Sequence, residues 1–442
     1  MKKILILSTI TAATLFATNG SNLIGLGVES RALGGTGIAN FNGAENALSN
    51  PALLGKTKSQ REFSFGGTIF KSTVKVSTTK GNTTDPRTGT SMTSAQDKSM
   101  IPVISLSNRI NSNLVFGLGM YGTAGMGTDW RGSSVDATQG KVGLYNMRSA
   151  LMLMQFAPSL AYHKENFGIG LSAIMQYGQL SIDYDAGSDP EMDNTKPNFM
   201  YPTKTVHVGN GPSQDYGYGY QLGAYFNPTK SLTLAGVYKS AIDMEYKDQI
   251  SKAALAFGYG SNPGAMAAKS DHLEQPAEIG FGFAYNMGHM TYTGDYKTIK
   301  WGDAKGYKDF GWENQNVLAI GAKHTRNDYW YGLGFNKADN PIKNNVSKTA
   351  VGMKSVNASP ANRMNSDGDT MNLFNYAMFP ATITKAYTFG GGYNISKDST
   401  LSFAYMIAPE VSDTVSAQTV GVGMITTKHS QTATTIAYKF TF

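Results

Sequence analysis

The feature that most constrains this chain is a strict alternation of apolar with small or polar residues, repeated along most of its length. In residues 166–177, Phe167, Ile169, Leu171, Ala173, Met175 and Tyr177 fall on one face, and Asn166, Gly168, Gly170, Ser172, Ile174 and Gln176 fall on the other. A period of two is the signature of a β-strand whose faces meet different surroundings. Tyr216, Tyr218, Tyr220, Leu222, Ala224 and Phe226 repeat it against Gly217, Gly219, Gln221, Gly223 and Tyr225. Ile279, Phe281, Phe283 and Tyr285 do so against Gly280, Gly282 and Ala284, and further copies lie at 328–336, 386–395 and 399–407.

A soluble sandwich would bury the aromatic faces against a second sheet, with fewer glycines opposite them. A barrel in lipid accounts for both faces: lipid takes Leu, Ile and Phe, the interfaces take Tyr, and Gly, Ser, Asn and Gln line a lumen. Composition agrees. The chain has 442 residues with only 16% charged, where about 25% is usual in soluble proteins. A bundle of membrane helices, each needing about 20 apolar residues, fits poorly with 41% hydrophobic residues and a mean hydropathy of -0.26. Glycine occurs 50 times, against about 31 at the usual frequency of about 7%.

The expected fold class is therefore all-β: a transmembrane antiparallel β-barrel of about 14 strands. Short breaks at 109–112, 164–165, 227–230, 287–288, 326–327 and 396–399 read as tight turns. They alternate with long loops at 78–97, 128–148, 188–212, 248–271, 302–312, 338–383 and 410–428. An even strand number puts tight turns and both termini on the periplasmic side and the long loops outside. At the C-terminus, Ile436, Tyr438, Phe440 and Phe442 alternate with Ala437, Lys439 and Thr441, and resemble the assembly signal of outer-membrane barrel proteins.

Lys2 and Lys3, the uncharged run 4–16 and the small Ala17 read as a secretory signal cleaved after Ala17. The run is too short to span a bilayer. The division expected is 1–17 signal peptide, 18–58 an N-terminal hatch and 59–442 the barrel. Residues 22–58 are small-residue-rich and lack long alternation, and their Leu23, Ile24, Leu26, Leu33, Ile38, Leu48, Leu53 and Leu54 need burial, for which the lumen is available. Cysteine is absent, which excludes disulfides and thiol chemistry. The net charge of +7 comes from scattered residues, so no nucleic-acid partner is expected.

Ser30-Arg31-Ala32-Leu33-Gly34-Gly35-Thr36-Gly37, followed by Asn46-Ala47-Leu48-Ser49-Asn50-Pro51-Ala52-Leu53-Leu54, resembles the N-terminal hatch of the FadL/TodX family of outer-membrane transporters. The likeness continues through Ile101-Pro102 to Asn108, Leu118-Gly119-Met120-Tyr121, Gly127-Thr128-Asp129-Trp130, Pro158-Ser159-Leu160-Ala161-Tyr162, Gly217-Tyr218-Gly219-Tyr220 and Asn227-Pro228-Thr229-Lys230. The resemblance implies a monomeric 14-stranded barrel plugged by the hatch, taking up long-chain fatty acids or aromatic hydrocarbons. The implied route is capture in an outer apolar groove, transfer to a lumen site, hatch rearrangement and exit through a side opening at a kinked strand, with outer-membrane lipid as the receiving phase.

Three stretches are expected to carry these steps. In the hatch, Asn50-Pro51-Ala52 reads as a compact turn. The outer loop 250–268 is unusually apolar, and Leu255, Phe257 and Met266 are expected on an exposed capture surface; a self-packed loop cap is the competing reading. The third strand is crowded with glycine, and Gly119, Gly122, Gly125 and Gly127 are expected to permit a bulge at a lateral opening. Space for the hatch is the competing role.

Chemical motifs give little else. Gly117–Gly122 matches G-x-G-x-x-G without a βαβ context. His163, His207, His272, His289, His324 and His429 lack metal-like spacing. Asp367-Gly368-Asp369 lacks the later Glu of a calcium loop, and no G-x-S-x-G elbow occurs. No catalytic residue, metal or cofactor is expected. Two other readings stay open: a lipid hydrolase, which needs a Ser–His pair at the lipid face, and a purely structural barrel, which needs a filled lumen.

Overall fold

The computed structural model describes residues 18–79, 91–131, 144–188, 204–255, 257, 259–260, 267–343, 367–417 and 422–442. The expected signal peptide and Met266 lie outside the described residues. All strands form a sheet of 18, four of which are short (18–19, 22–23, 91–93 and 204–208). The remaining fourteen are the barrel wall: β1 Arg61–Thr79, β2 Lys98–Arg109, β3 Leu114–Met126, β4 Arg148–His163, β5 Phe167–Ser188, β6 Ser213–Phe226, β7 Leu232–Lys239, β8 Glu278–Met287, β9 Met290–Ile299, β10 Gln315–Arg326, β11 Tyr329–Ala338, β12 Lys385–Ser396, β13 Ser399–Ala417 and β14 Gly423–Thr441.

Each strand pairs antiparallel with the next, and β14 returns to β1 in unbroken register from Met424↔Thr79 to Thr441↔Glu62. Closure pairs the first and last strands of the wall with each other, as a spanning sheet requires because hydrocarbon cannot satisfy free N–H and C=O groups. The alternation is expressed as two faces. Phe167, Ile169, Leu171, Tyr218, Phe281 and Leu333 are exposed to the outside, while Gln155, Ser159, Ser172, Gln221, Asn336 and Thr388 are buried inside. Among the described residues no helix is long and apolar enough to cross a membrane.

Two bodies fill the ring. Residues 18–57 lie inside it, with Leu33, Leu53 and Leu54 fully buried. The second body is an aromatic cap at the end opposite the tight turns. There Trp301, Tyr307 and Trp312 pack at ring-centroid distances of 4.6–5.1 Å. Segment 367–378 lies across the mouth: Thr427 on β14 donates to the Tyr376 carbonyl at 2.7 Å, and Trp130, just beyond β3, donates to the Ala377 carbonyl at 2.6 Å. The long loops thus build the main aromatic core of the protein rather than only solvated connections.

Candidate transport path

Lumen-facing glycines shape the bed of the N-terminal segment. A Cβ at Gly170 on β5 would collide with the backbone of Ala52, one at Gly223 on β6 with the Asn50 side chain, and one at Gly334 on β11 with the backbone at Gly34. Asn50 caps a short helix in this bed. Its Oδ1 accepts from Ala52 N at 3.1 Å, opening the 3-10 helix Pro51–Lys56, and its Nδ2 donates to the Ile38 carbonyl at 2.7 Å.

Charge holds the same stretch. Arg31 is fully buried; it donates to the carbonyls of Ile24 and Gly25 and to Thr68 and Thr435 on the wall. Burial pulls its guanidinium down to about 10, so it stays a cation at neutral pH. Glu29 pairs with Lys323. The Glu62 carboxylate accepts from Ala44 N at 2.7 Å, and Asp295 accepts from Gly37 N and Ile38 N at 2.7 and 2.9 Å. Glu45 is raised to about 7, first by burial and then by Glu29 and Glu62, against the pull of Lys439.

Beside the segment is a cavity of about 100 Å³, bounded by Asn22, Leu26 and Ile38 on one side and by Lys239, Glu278 and Lys297 of the wall on the other. Lys297 pairs with Glu278 at 3.0 Å. The other oxygen of Glu278 accepts from Asn22 Nδ2 at 2.9 Å. Lys239 donates to Gln155 Oε1 at 2.8 Å and, among the described residues, makes no ion pair. This ring was not singled out from the sequence; the available signal was a charged residue on the small, polar face of an alternating strand.

The wall is incomplete next to this cavity. Pairing between β2 and β3 runs from Arg109↔Val115 to Val103↔Tyr121 and stops there, one position short of Pro102, which has no N–H to extend a ladder. Past that point β3 pairs with β4 through a register shift between Gly122 and Ala124, a bulge. On its other side it takes the N-terminal segment as partner: Asn22 sits opposite Ala124, and Gly125 N donates to the Ser21 carbonyl at 3.0 Å.

A family model described as outer membrane protein transport protein (OMPP1/FadL/TodX) matches residues 4–344. The chain belongs to this family. It is accordingly an outer-membrane barrel of FadL/TodX type. Its fold is similar to the Pseudomonas putida toluene transporter TodX, with a TM-score of 0.66 and 17% identity over 95% of this chain and 99% of that one. It is equally similar to a Pseudomonas aeruginosa FadL homologue, with a TM-score of 0.67 and 14% identity over 96% and 100%. A 62-residue stretch, 14% of this chain, is 47% identical to an uncharacterized protein from the 5′ region of a phosphoenolpyruvate carboxykinase gene of Chlorobium limicola, and spans 30% of that protein's length.

The other expected residues fall in different places within this family fold. Leu255 is exposed at 49%, whereas Phe257 is buried at 5%. Phe257 packs against Tyr184 and Phe374 at 5.5 and 5.4 Å, so the expectation of an exposed Phe257 is corrected: a large ring next to other rings gains more from the cap interior than from water. Gly122 is at the bulge, facing the Ile101 side chain; Gly119 makes room for the Tyr121 ring, and Gly127 follows the strand end. Trp130 turns out to anchor the cap, a role that its motif did not reveal.

A Ser–His pair exists, but inside the ring. Ser72 Oγ lies 2.8 Å from His429 Nε2, and Gln431 Nε2 approaches the same nitrogen at 2.8 Å. Among the described residues His429 Nδ1 has no partner, so none of their carboxylates orients the imidazole as a triad requires. Proteins of this family are transport channels, not enzymes.

Proposed function

We propose that this protein is a passive transporter of hydrophobic compounds bearing a carboxylate, long-chain fatty acids foremost, with residues 1–17 a signal peptide and 18–58 a hatch. The observation that carries the reading is the cluster beside the lumen cavity in which two ammoniums, Lys239 and Lys297, share the single carboxylate of Glu278, Lys239 lying directly across the ladder from it and bonded to the Gln155 amide oxygen. Two buried cations on one carboxylate leave an excess positive charge that is costly to bury, and a ligand carboxylate would balance it. An apolar ligand would gain nothing from Lys239.

The cavity is smaller than the roughly 150 Å³ that encloses one benzene molecule, so an acyl chain enters only if the hatch shifts. Capture is assigned to the cap surface around Leu255, and exit to the unpaired stretch between β2 and β3. Leaving sideways keeps apolar area out of water, whereas a free ligand in the periplasm would expose it. The barrel closes on itself through β14 and β1, in keeping with a monomer.

The decisive experiment is uptake of labelled palmitate and toluene by a deletion strain carrying variants. Lys239→Gln is expected to lower palmitate uptake at limiting concentration by about tenfold or more, leaving toluene unchanged. Equal palmitate uptake overturns the carboxylate assignment and favours the second reading, aromatic hydrocarbon uptake. That reading draws support from TodX, a toluene transporter, and from CymD, a monoaromatic hydrocarbon channel. For exit, Gly122→Val with Gly125→Val is expected to stop transport while ligand binding persists; transport through a correctly inserted variant places the exit elsewhere.

A further inference from the structure

We propose that the outward face of β14, β1 and β2, just above the lipid band, binds a phosphorylated glycolipid of the outer leaflet. The observation is an arrangement of lysines that the sheet by itself does not favour. Lys71 on β1 is directly opposite Lys98 on β2, and Lys75 on β1 is directly opposite Lys428 on β14. All four are exposed. Like charges placed directly across a ladder destabilise it.

Position identifies the partner. Outward positions alternate along β1, and Phe65 and Ile69 precede Lys71 on the same face; on the antiparallel β2, Met100 follows Lys98. The lysines therefore begin at the first outward position past the apolar band, at the end carrying the long loops. Among the described ladders a third lysine pair, Lys337↔Lys385, lies at this same rim, and none lies at the rim of tight turns. Among the described residues Lys71, Lys75 and Lys98 make no ion pair, and Lys428 has only Glu410, at 3.9 Å. The charges are thus aimed at something outside the protein.

A ligand at this height on the lipid side must be an amphiphile with an anionic head. Compact ammonium groups bind phosphate oxygens as point charges, and the outer leaflet of an outer membrane presents phosphates on a sugar. Lys71 and Lys75 are about 13 Å apart along the strand, a separation on the scale of a disaccharide bearing a phosphate at each end. Thr73, Ser430 and Thr432 lie between them, part-exposed on the same face, and offer hydroxyls to the sugar. This surface is separate from the lumen path, so the proposal stands whichever ligand the channel carries.

The test is binding of bisphosphorylated lipid A to the full protein in non-ionic detergent, beside phosphate-free lipid A and phosphatidylglycerol. The wild type is expected to bind the bisphosphorylated form at least about tenfold more tightly than either. Combined Lys71→Gln, Lys75→Gln, Lys98→Gln and Lys428→Gln should remove that preference. A variant with equal charge loss in the loops, Lys247→Gln, Lys252→Gln, Lys300→Gln and Lys308→Gln, should keep it. Retention of the preference by the first variant, its loss in both, or equal binding of phosphatidylglycerol by the wild type overturns the proposal. Should the fourfold variant not fold, as read by the heat-dependent gel mobility of the barrel, the wild-type preference and the Lys71→Gln, Lys98→Gln pair decide.

Discussion

Residues 28–58 and residues 18–26 belong to one N-terminal segment, yet they meet the barrel on different terms. The longer stretch lies in a bed of wall glycines and carries the buried Arg31 and Glu45 and the part-buried Glu29. The shorter one borders the cavity, replaces β2 as the partner of β3 beyond Tyr121, and touches the cap: Gly20 packs against Trp301, and Ser21 Oγ is 3.4 Å from Tyr307 Oη. The difference teaches that the segment need not behave as one body. A docked base and a lightly tied tip can coexist: both line the cavity, but it is the tip that pairs with β3 at the gap.

The largest effect should come from the base. Arg31→Ala deletes a buried cation with donors to two carbonyls and two wall hydroxyls, whose charged form the Glu45 carboxylate favours. Removing one partner of a buried charge cluster costs roughly 3–5 kcal/mol, read as a lowered unfolding temperature in detergent. A loss no greater than that of a surface mutant would mean the base is not docked.

Glu45 tests the base through pH. Its carboxyl is raised from 4.5 to about 7 by burial, with Glu29 and Glu62 adding to the rise. The folded state therefore holds the proton more strongly than the unfolded one. Stability should be highest below pH 4.5, fall as pH rises towards 7, and level off above it, by up to roughly 3 kcal/mol in all. Glu45→Gln should flatten this slope. Identical slopes in unfolding temperature between pH 4 and 8 would discard the assignment.

Gly170→Val tests the bed itself. The added side chain would occupy the space of Ala52, and overpacking of this kind costs about 1–3 kcal/mol. Expected with it is a rise in leakage of small polar solutes, because the base is lifted from the wall. Gly211, with open space around its Cβ position, has a positive φ but no packing conflict and provides the comparison position.

The wall was legible in the sequence because period two is a local property: Phe167 to Tyr177 declare their two faces without reference to any other strand. Closure, turn positions and the glycine-rich third strand followed from the same pattern. The site was less legible. Lys239, Glu278 and Lys297 come from three strands and meet only through register, and Trp130 finds Ala377 from 247 positions away. Phe257 was misplaced because apolar loop residues give the same sequence signal whether they pack inward or face out. The gap at β2 and β3 was suggested by glycine, but its location at Tyr121 depends on where a ladder stops, which no single strand encodes.

The smallest expected effect on stability is at the tip. Asn22→Ala removes the donor to Glu278 at 2.9 Å and the acceptor for Gln275 Nε2 at 2.6 Å. Glu278 keeps Lys297, so no charge is stranded, and the cost should be about 1 kcal/mol. The tip, however, loses its side-chain tie to the β8 wall, while the base keeps its own anchors. In planar bilayers the variant should open briefly and more often than the wild type, with an almost unchanged unfolding temperature. Arg31→Ala should show the opposite balance, a large loss of stability with openings that accompany it. If Asn22→Ala destabilises the barrel as much as Arg31→Ala and opens no more often, tip and base are one unit, and the gap beside β3 is sealed by the segment as a whole.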